Sequence, residues 1–157
     1  MATPKKTPAK KTPAKKDIAK QEIVKREITK HDIITAYMDY VLEHERTPKS
    51  VYKFAKDNNM SEQEFYKFFG SFDSLSKDIW NTFFTMTMDV AHKNEEYDHF
   101  SNREKMLTFF YTFFELLTLN RSYVLYTLKE NQNTMSNMEQ LKGLRKHVKN
   151  FAKDLIM

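Results

Sequence analysis

The stretch Thr47-Pro-Lys-Ser-Val-Tyr-Lys-Phe-Ala-Lys-Asp-Asn-Asn-Met-Ser-Glu-Gln-Glu-Phe-Tyr-Lys-Phe-Phe-Gly-Ser-Phe-Asp-Ser-Leu75 decides the fold. It reads as two short helices joined by a tight turn, with a third helix following at once. Thr47 is placed to cap the first helix and Pro48 to occupy its first position, where a missing N–H costs nothing. Val51, Phe54 and Ala55 recur at helical spacing as a buried face. Asp57-Asn58-Asn59 breaks that helix. Ser61 and Glu64 form a Ser-x-x-Glu capping box that opens the second helix, expected over residues 61–69. Phe65, Phe68 and Phe69 are its apolar side, Gly70 its stop, and Ser71 the start of the next helix. This is the outline of a helix-turn-helix. A second helix of two turns has few buried contacts of its own, and its exposed face is the one such motifs present to the DNA major groove.

Met60 to Leu75 resembles, position for position, the signature of the TetR family of bacterial one-component regulators. Ser61, Tyr66, Phe69, Ser71 and Leu75 match outright, while Met60, Phe65, Phe68 and Asp73 match in character. Upstream, Ile33, Ala36 and Leu42 fit core positions of the family's first helix, and Thr47 to Ala55 resembles its second. The resemblance covers residues 32–88. It implies an all-α protein in which an N-terminal three-helix helix-turn-helix unit joins a small helical C-terminal bundle. It further implies a regulator that binds double-stranded DNA, responds to a small lipophilic ligand and forms a homodimer through its last two helices. In that family the residue matching Tyr66 donates its hydroxyl to a phosphate, with Lys67 beside it.

Two positions depart from the pattern. Phe72 stands where the family usually has a Lys that touches DNA phosphate, so that contact cannot form. Gln63-Glu64 replaces a frequent Gly-Thr, and Glu62 precedes it, so carboxylates face a polyanion. Glu accepts a hydrogen bond from cytosine N4 but cannot bind phosphate.

Lys49, Lys53 and Lys56 fall at i, i+4 and i+7 and either line one phosphate strand or form a solvated helix face. Gln63 is the candidate for a base contact, because its amide pairs bidentately with adenine. The candidate DNA-binding set is therefore Thr47, Lys49, Lys53, Lys56, Ser61, Gln63, Glu64, Tyr66 and Lys67.

Among the 157 residues, 14% are aromatic and only two are Gly, which supplies apolar material for an all-helical domain and gives no sign of a sheet. Cysteine is absent, which excludes disulfides, thiolate metal sites and thiol catalysis. No apolar run approaches the ~20 residues of a membrane span, and no secretory leader is evident, so the expected location is cytoplasmic. The net charge of +5 is unevenly held: residues 1–30 carry ten Lys or Arg against three acids, which leaves the remainder slightly negative.

That basic segment is an array of five-residue units starting at Thr7, Thr12, Asp17, Glu22 and Glu27. Up to Lys16 its prolines forbid helix and its lysines repel one another, so residues 1–16 are expected to be a disordered tail. From Asp17, acid-to-Lys pairs at i,i+3 can support a helical extension into the first domain helix, although Ile18, Ile23, Ile28 and Ile33 do not form one stripe. Such a tail either grips phosphates without reading bases or serves as a solubilising linker. The expected organisation is a tail over 1–16, a DNA-binding unit over 17–90 and a ligand-binding and dimerisation domain over 91–157.

Beyond Leu75, a fourth helix carries Leu75, Ile79, Trp80, Phe83, Phe84 and Val90, and should link the two units. After a polar stretch from His92 to His99, Ser101 and Glu104 make a second capping box for a helix reaching about Asn120. That helix is apolar nearly all round, which predicts neighbours on several sides and a central position. A helix from Arg121, a loop over 131–137 and a closing amphipathic helix over 138–157 complete the chain. The closing helix either pairs with a second copy or caps its own core. Against the resembling family the chain ends early, so its C-terminal domain reads either as lacking one or both dimerisation helices or as dimerising through the closing helix. The aromatic interior is either a packed core or a ligand pocket lined by Phe84, Met88, Phe110, Phe113, Phe114 and Tyr126.

The five histidines are scattered, and no metal-ligand spacing, paired catalytic carboxylates or phosphate loop is present, so neither enzyme activity, metal nor cofactor is expected. Two functions remain: a TetR-type DNA-binding transcriptional regulator reading DNA with residues 61–69, and a lipid or prenyl-chain binding protein of the same fold that no longer reads an operator.

Overall fold

The computed structural model describes residues 27–130 and 134–157. The expected disordered tail and most of the helical extension lie outside the described residues. Among the described residues the secondary structure is entirely helical: α1 (Lys30–His44), α2 (Val51–Asp57), α3 (Glu62–Tyr66), α4 (Phe72–His92), α5 (Asn102–Leu119), α6 (Arg121–Glu130), α7 (Thr134–Gln140) and α8 (Lys142–Ile156). A single 3-10 turn, Tyr97–His99, lies between α4 and α5.

The extension does not run unbroken into α1. Thr29 caps that helix, and its hydroxyl and backbone N–H close a capping box with Asp32. Ile28 and Ile33 occupy the flanking positions of a hydrophobic staple, with Ile28 packed on the core to which Ile33 belongs. Val41 is the inward residue in the last turns of α1, whereas Leu42, expected in the core, is exposed.

Ser50 caps α2, in place of Thr47, and accepts from the Lys53 N–H at 3.3 Å. Pro48 stays outside the helix and is buried. The end of α2 is a Schellman motif: Met60 N–H reaches Ala55 O at 3.0 Å, and Asn59 N–H reaches Lys56 O at 3.2 Å. Asn59 takes the left-handed conformation this motif requires, with φ 55°. Its two neighbours in the motif, Ala55 and Met60, are both buried.

Helix α3 is shorter than the sequence pattern suggests, because the chain turns at Lys67 and Phe68 before reaching the cap of α4 at Ser71. Phe65 and Phe69 are buried, but Phe68 is turned out by that bend. Gly70 is not a left-handed stop, and a Cβ there would meet open space.

The axis of the molecule is α4, which packs on α5 and α8 and, at one end, on the helix-turn-helix. Leu75, Ile79, Trp80 and Phe83 are buried, and Thr87 and Ala91 continue that face where Val90 was expected. One core runs from Ile33, Phe54 and Phe65 through α4 to Tyr123 of α6. A second aromatic group joins Phe84, Phe109 and Phe151, with Phe109 at 5.5 Å from Phe84 and 5.1 Å from Phe151.

Helix α5 is not central. Ser101 and Glu104 cap it as expected, but Phe109 is its one fully buried side chain and a whole apolar side is uncovered. The helix with neighbours on several sides is α4. Residues 134–137, expected in a loop, belong to α7, and the closing helix is broken at Leu141. There Gln140 donates to Ser76 Oγ at 2.7 Å, and Gly143 lies so close to Asn81 that any side chain would collide with the amide.

Asn59 and Gly70 generate opposite expectations. Asn59→Ala places an ordinary residue at a left-handed φ and should cost ~1 kcal/mol in urea unfolding, with Asn59→Gly near neutral. Gly70→Ala should stabilise by ~0.4–1 kcal/mol, because it removes unfolded-state freedom without strain.

Candidate nucleic-acid interface

Helix α3 has five residues and is held from one side. Phe65 is fully buried, in edge contact with Phe54 at 6.1 Å and Phe72 at 5.3 Å. At 100° per residue, Gln63 and Lys67 point away from Phe65, while Glu62 and Tyr66 lie along one edge. All four are exposed. The Tyr66 ring stands at 87° to Phe65, with centroids 5.5 Å apart, and the residue remains 53% exposed.

The two carboxylates of α3 have different surroundings. Glu64 Oε2 accepts from the Ser61 N–H at 2.7 Å and from Ser61 Oγ at 2.9 Å, while Ser61 Oγ accepts from the Glu64 N–H. Glu64 is thereby folded back onto its own helix start, where the dipole favours a negative charge. Glu62 is the free carboxylate of the outward edge.

Thr47 lies apart from this surface. It lines a cleft of about 410 Å³ with Tyr37, Phe72, Tyr126 and Gln140, between the helix-turn-helix and α6–α7. Lys49 precedes the cap of α2 and so does not share a helical row with Lys53 and Lys56. All three lysines are exposed, and among the described residues neither they nor Lys67 form an ion pair.

Phe72 accounts for the missing phosphate lysine. It is the first residue of α4, but its ring turns inward, stacking on Tyr37 at 5.7 Å and meeting Phe54 edge-on at 5.3 Å. A position that faces DNA in the resembling family is here part of the core. Nearby, Lys77 pairs with Asp73 at 2.9 Å, an interaction that raises the Lys77 pKa, and Lys30 pairs with Asp78 at 2.5 Å.

The six residues read as a candidate ligand pocket are scattered. Phe84 and Phe113 pack around Phe109, Met88 is half-buried, and Phe110 and Phe114 are exposed on α5. Only Tyr126 of the six lines a main cavity, the cleft that also holds Thr47. The groups lining that cleft are largely polar: Asp73, Ser76, Lys77, Glu139 and Gln140. No local periodicity announces them, because they come from α4 and α7 and meet only through packing.

Residues 105–157 match the family model described as "Tetracyclin repressor-like, C-terminal domain". The match is a similarity of a segment that begins within α5, runs through α8 and carries no motif of its own, and it excludes the helix-turn-helix. No curated protein and no solved structure matches the chain. Among the described residues no helix is long and apolar enough to cross a membrane, and no group of three or more His, Asp or Glu is placed to hold a metal.

The cap geometry separates the roles of the neighbouring carboxylates. Ser61→Ala and Glu64→Ala should each lower unfolding stability by ~1 kcal/mol, whereas Glu62→Ala should stay within ~0.5 kcal/mol. Urea titrations of the three variants check this.

Proposed function

We propose that this protein is a non-enzymatic, DNA-binding transcriptional regulator of TetR type. The observation that carries the reading is the outward side of α3, where Gln63, Tyr66 and Lys67 stand uncovered on a helix anchored from behind by Phe65. The inward fold of Glu64 supports it, because the carboxylate is held at the helix start, beside the positive end of the dipole, and Glu62 is the acid left on the outward edge. The tetracyclin repressor-like match of residues 105–157 supports the same family from the other end of the chain. In this reading Gln63 meets a base edge and Tyr66 and Lys67 meet the backbone, while Lys53 and Lys56 add phosphate attraction. The 410 Å³ cleft bridges the helix-turn-helix to α6–α7, so an effector bound there shifts the two relative to each other. Its polar lining suits a polar effector better than a lipid chain.

The regulator works as a homodimer whose seam is the uncovered side of α5. Leu107, Phe110, Tyr111 and Phe114 fall on one helical stripe, with Tyr111 75% and Phe114 61% exposed. Three rings and a leucine exposed to this degree offer on the order of 400–500 Å², the apolar centre of the ~800 Å² that each partner of a stable dimer covers. An uncharged stripe is complementary to itself, as a two-fold interface requires. The apolar stripe of α8 is unavailable for this purpose, because Leu144, Val148, Phe151 and Leu155 face inward.

In a gel-shift selection, Tyr66→Phe with Lys67→Ala should weaken binding to every duplex alike, and Gln63→Ala should relax preference at one base pair by ~1–3 kcal/mol. Unchanged affinity in both variants would remove the regulator reading in favour of a lipid-binding protein of this fold. Sedimentation should show a dimer that Tyr111→Glu with Phe114→Glu converts to monomer; a monomeric parent protein contradicts the seam.

A further inference from the structure

Helix α8 has two opposed sides. Lys142, Arg145, Lys146, Lys149 and Lys153 occur at i, i+3, i+4, i+7 and i+11, which at 100° per residue confines them to an arc of about 100°. Leu144, Val148, Phe151 and Leu155 lie on the opposite arc and are half-buried, with Phe151 against Phe109 and His147 stacked on Phe84 at 5.2 Å. Packing of the apolar arc therefore turns the cationic arc to solvent, and all five cations are exposed. Asp154 is the only acid in the helix. Among the described residues Lys142 approaches Glu139 at 3.9 Å, and the other four form no ion pair. The row is about 16 Å long.

Its position and its charge both matter. Lys77 lines a groove with Lys142, Lys146 and Glu139, and it also lines the next groove, beside Phe68, Phe69, Ser74, Asp73 and Asp78 at the α3–α4 turn, where it is paired with Asp73. The cationic row thus begins on surface continuous with the end of α3. Residues 27–92, which hold the helix-turn-helix, carry seven Lys or Arg against eleven Asp or Glu. That unit repels a polyanion on average, while α8 carries five cations against one acid.

We propose that the outward stripe of α8 is a second, sequence-independent phosphate-contact surface that grips the backbone of the duplex held by α3. The inference rests on the regulator reading above. Duplex DNA is the occupant because the row is linear, carries five cations with one acid in its helix, and begins two adjoining grooves away from the α3–α4 turn. A membrane-surface helix needs a free apolar side to insert, and the apolar side of α8 is already committed to Phe84 and Phe109.

The test uses the full chain and a ~30-base-pair duplex of arbitrary sequence, with affinity followed by fluorescence anisotropy across salt. One variant replaces Lys142, Arg145, Lys146, Lys149 and Lys153 with Gln, a good helix former, and a second replaces the four lysines with Arg. Both are checked for native helicity by circular dichroism. The Gln variant should bind at least tenfold more weakly near 0.1 M salt, with a salt dependence shallower by ~0.9 for each phosphate that α8 no longer neutralises. The Arg variant should match the parent. If the Gln variant keeps the parent's affinity and salt slope while Tyr66→Phe with Lys67→Ala loses affinity, the α8 surface is refuted and the regulator reading stands. A parent that binds no duplex overturns both. Loss of binding to phosphatidylserine vesicles, with duplex binding intact, assigns the stripe to a membrane and also overturns the proposal.

Discussion

The helix-turn-helix depends on the meeting of four rings from four helices. Phe72 of α4 stacks on Tyr37 of α1 and takes Phe54 of α2 and Phe65 of α3 edge-on. A helix as short as α3 has no stability of its own, since nucleating a turn costs more than its few hydrogen bonds return. Its orientation is therefore that of Phe65 in this cluster. Offset and edge-to-face ring pairs prefer defined geometries, which makes the cluster more directional than an aliphatic core of equal size. The ring at the start of α4 is thus the one that aims α3.

Helix caps divide the polar residues of the unit into structural and free. Thr29 with Asp32, Ser61 with Glu64 and Ser101 with Glu104 each close a reciprocal box. At Glu104 the bonds from Ser101 hold the carboxyl below its usual range. The same chemistry occupies Glu64 and leaves Glu62, Gln63 and Lys67 available at the surface. Counting charges along the chain treats all these groups alike, and only their hydrogen bonds separate them.

The bundle shows the same division in its apolar faces. Helix α4 satisfies its neighbours on several sides, and α8 turns its one apolar stripe inward, which obliges its lysines to face out. Helix α5 has more apolar surface than its own chain covers. The proposed pairing of two copies and the proposed grip on DNA both follow from these leftovers, one apolar and one cationic.

Local signals make much of this architecture legible. The Ser-x-x-Glu boxes at Ser61 and Ser101, the break at Asn58-Asn59, the cap at Ser71 and the inward row Leu75, Ile79, Trp80 and Phe83 are written in residues a few positions apart, where helix geometry alone sets who meets whom. Ambiguity arises where two local solutions compete. Thr47-Pro48 and Ser50 both look like helix starts, and Gly70 looks like a stop although Asn59 is the left-handed residue. An all-apolar α5 cannot disclose which of its sides is covered. The order of amino acids is enough to set the helical class, the caps and the motif, because each is enforced within a turn or two of chain. Packing in three dimensions is what turns Phe72 inward, brings Thr47 into a cleft with Gln140 and leaves α5 with a bare side, and hydrogen bonding at the helix start is what withdraws Glu64. The packing outcomes depend on which distant surfaces come together, and no local pattern carries that information.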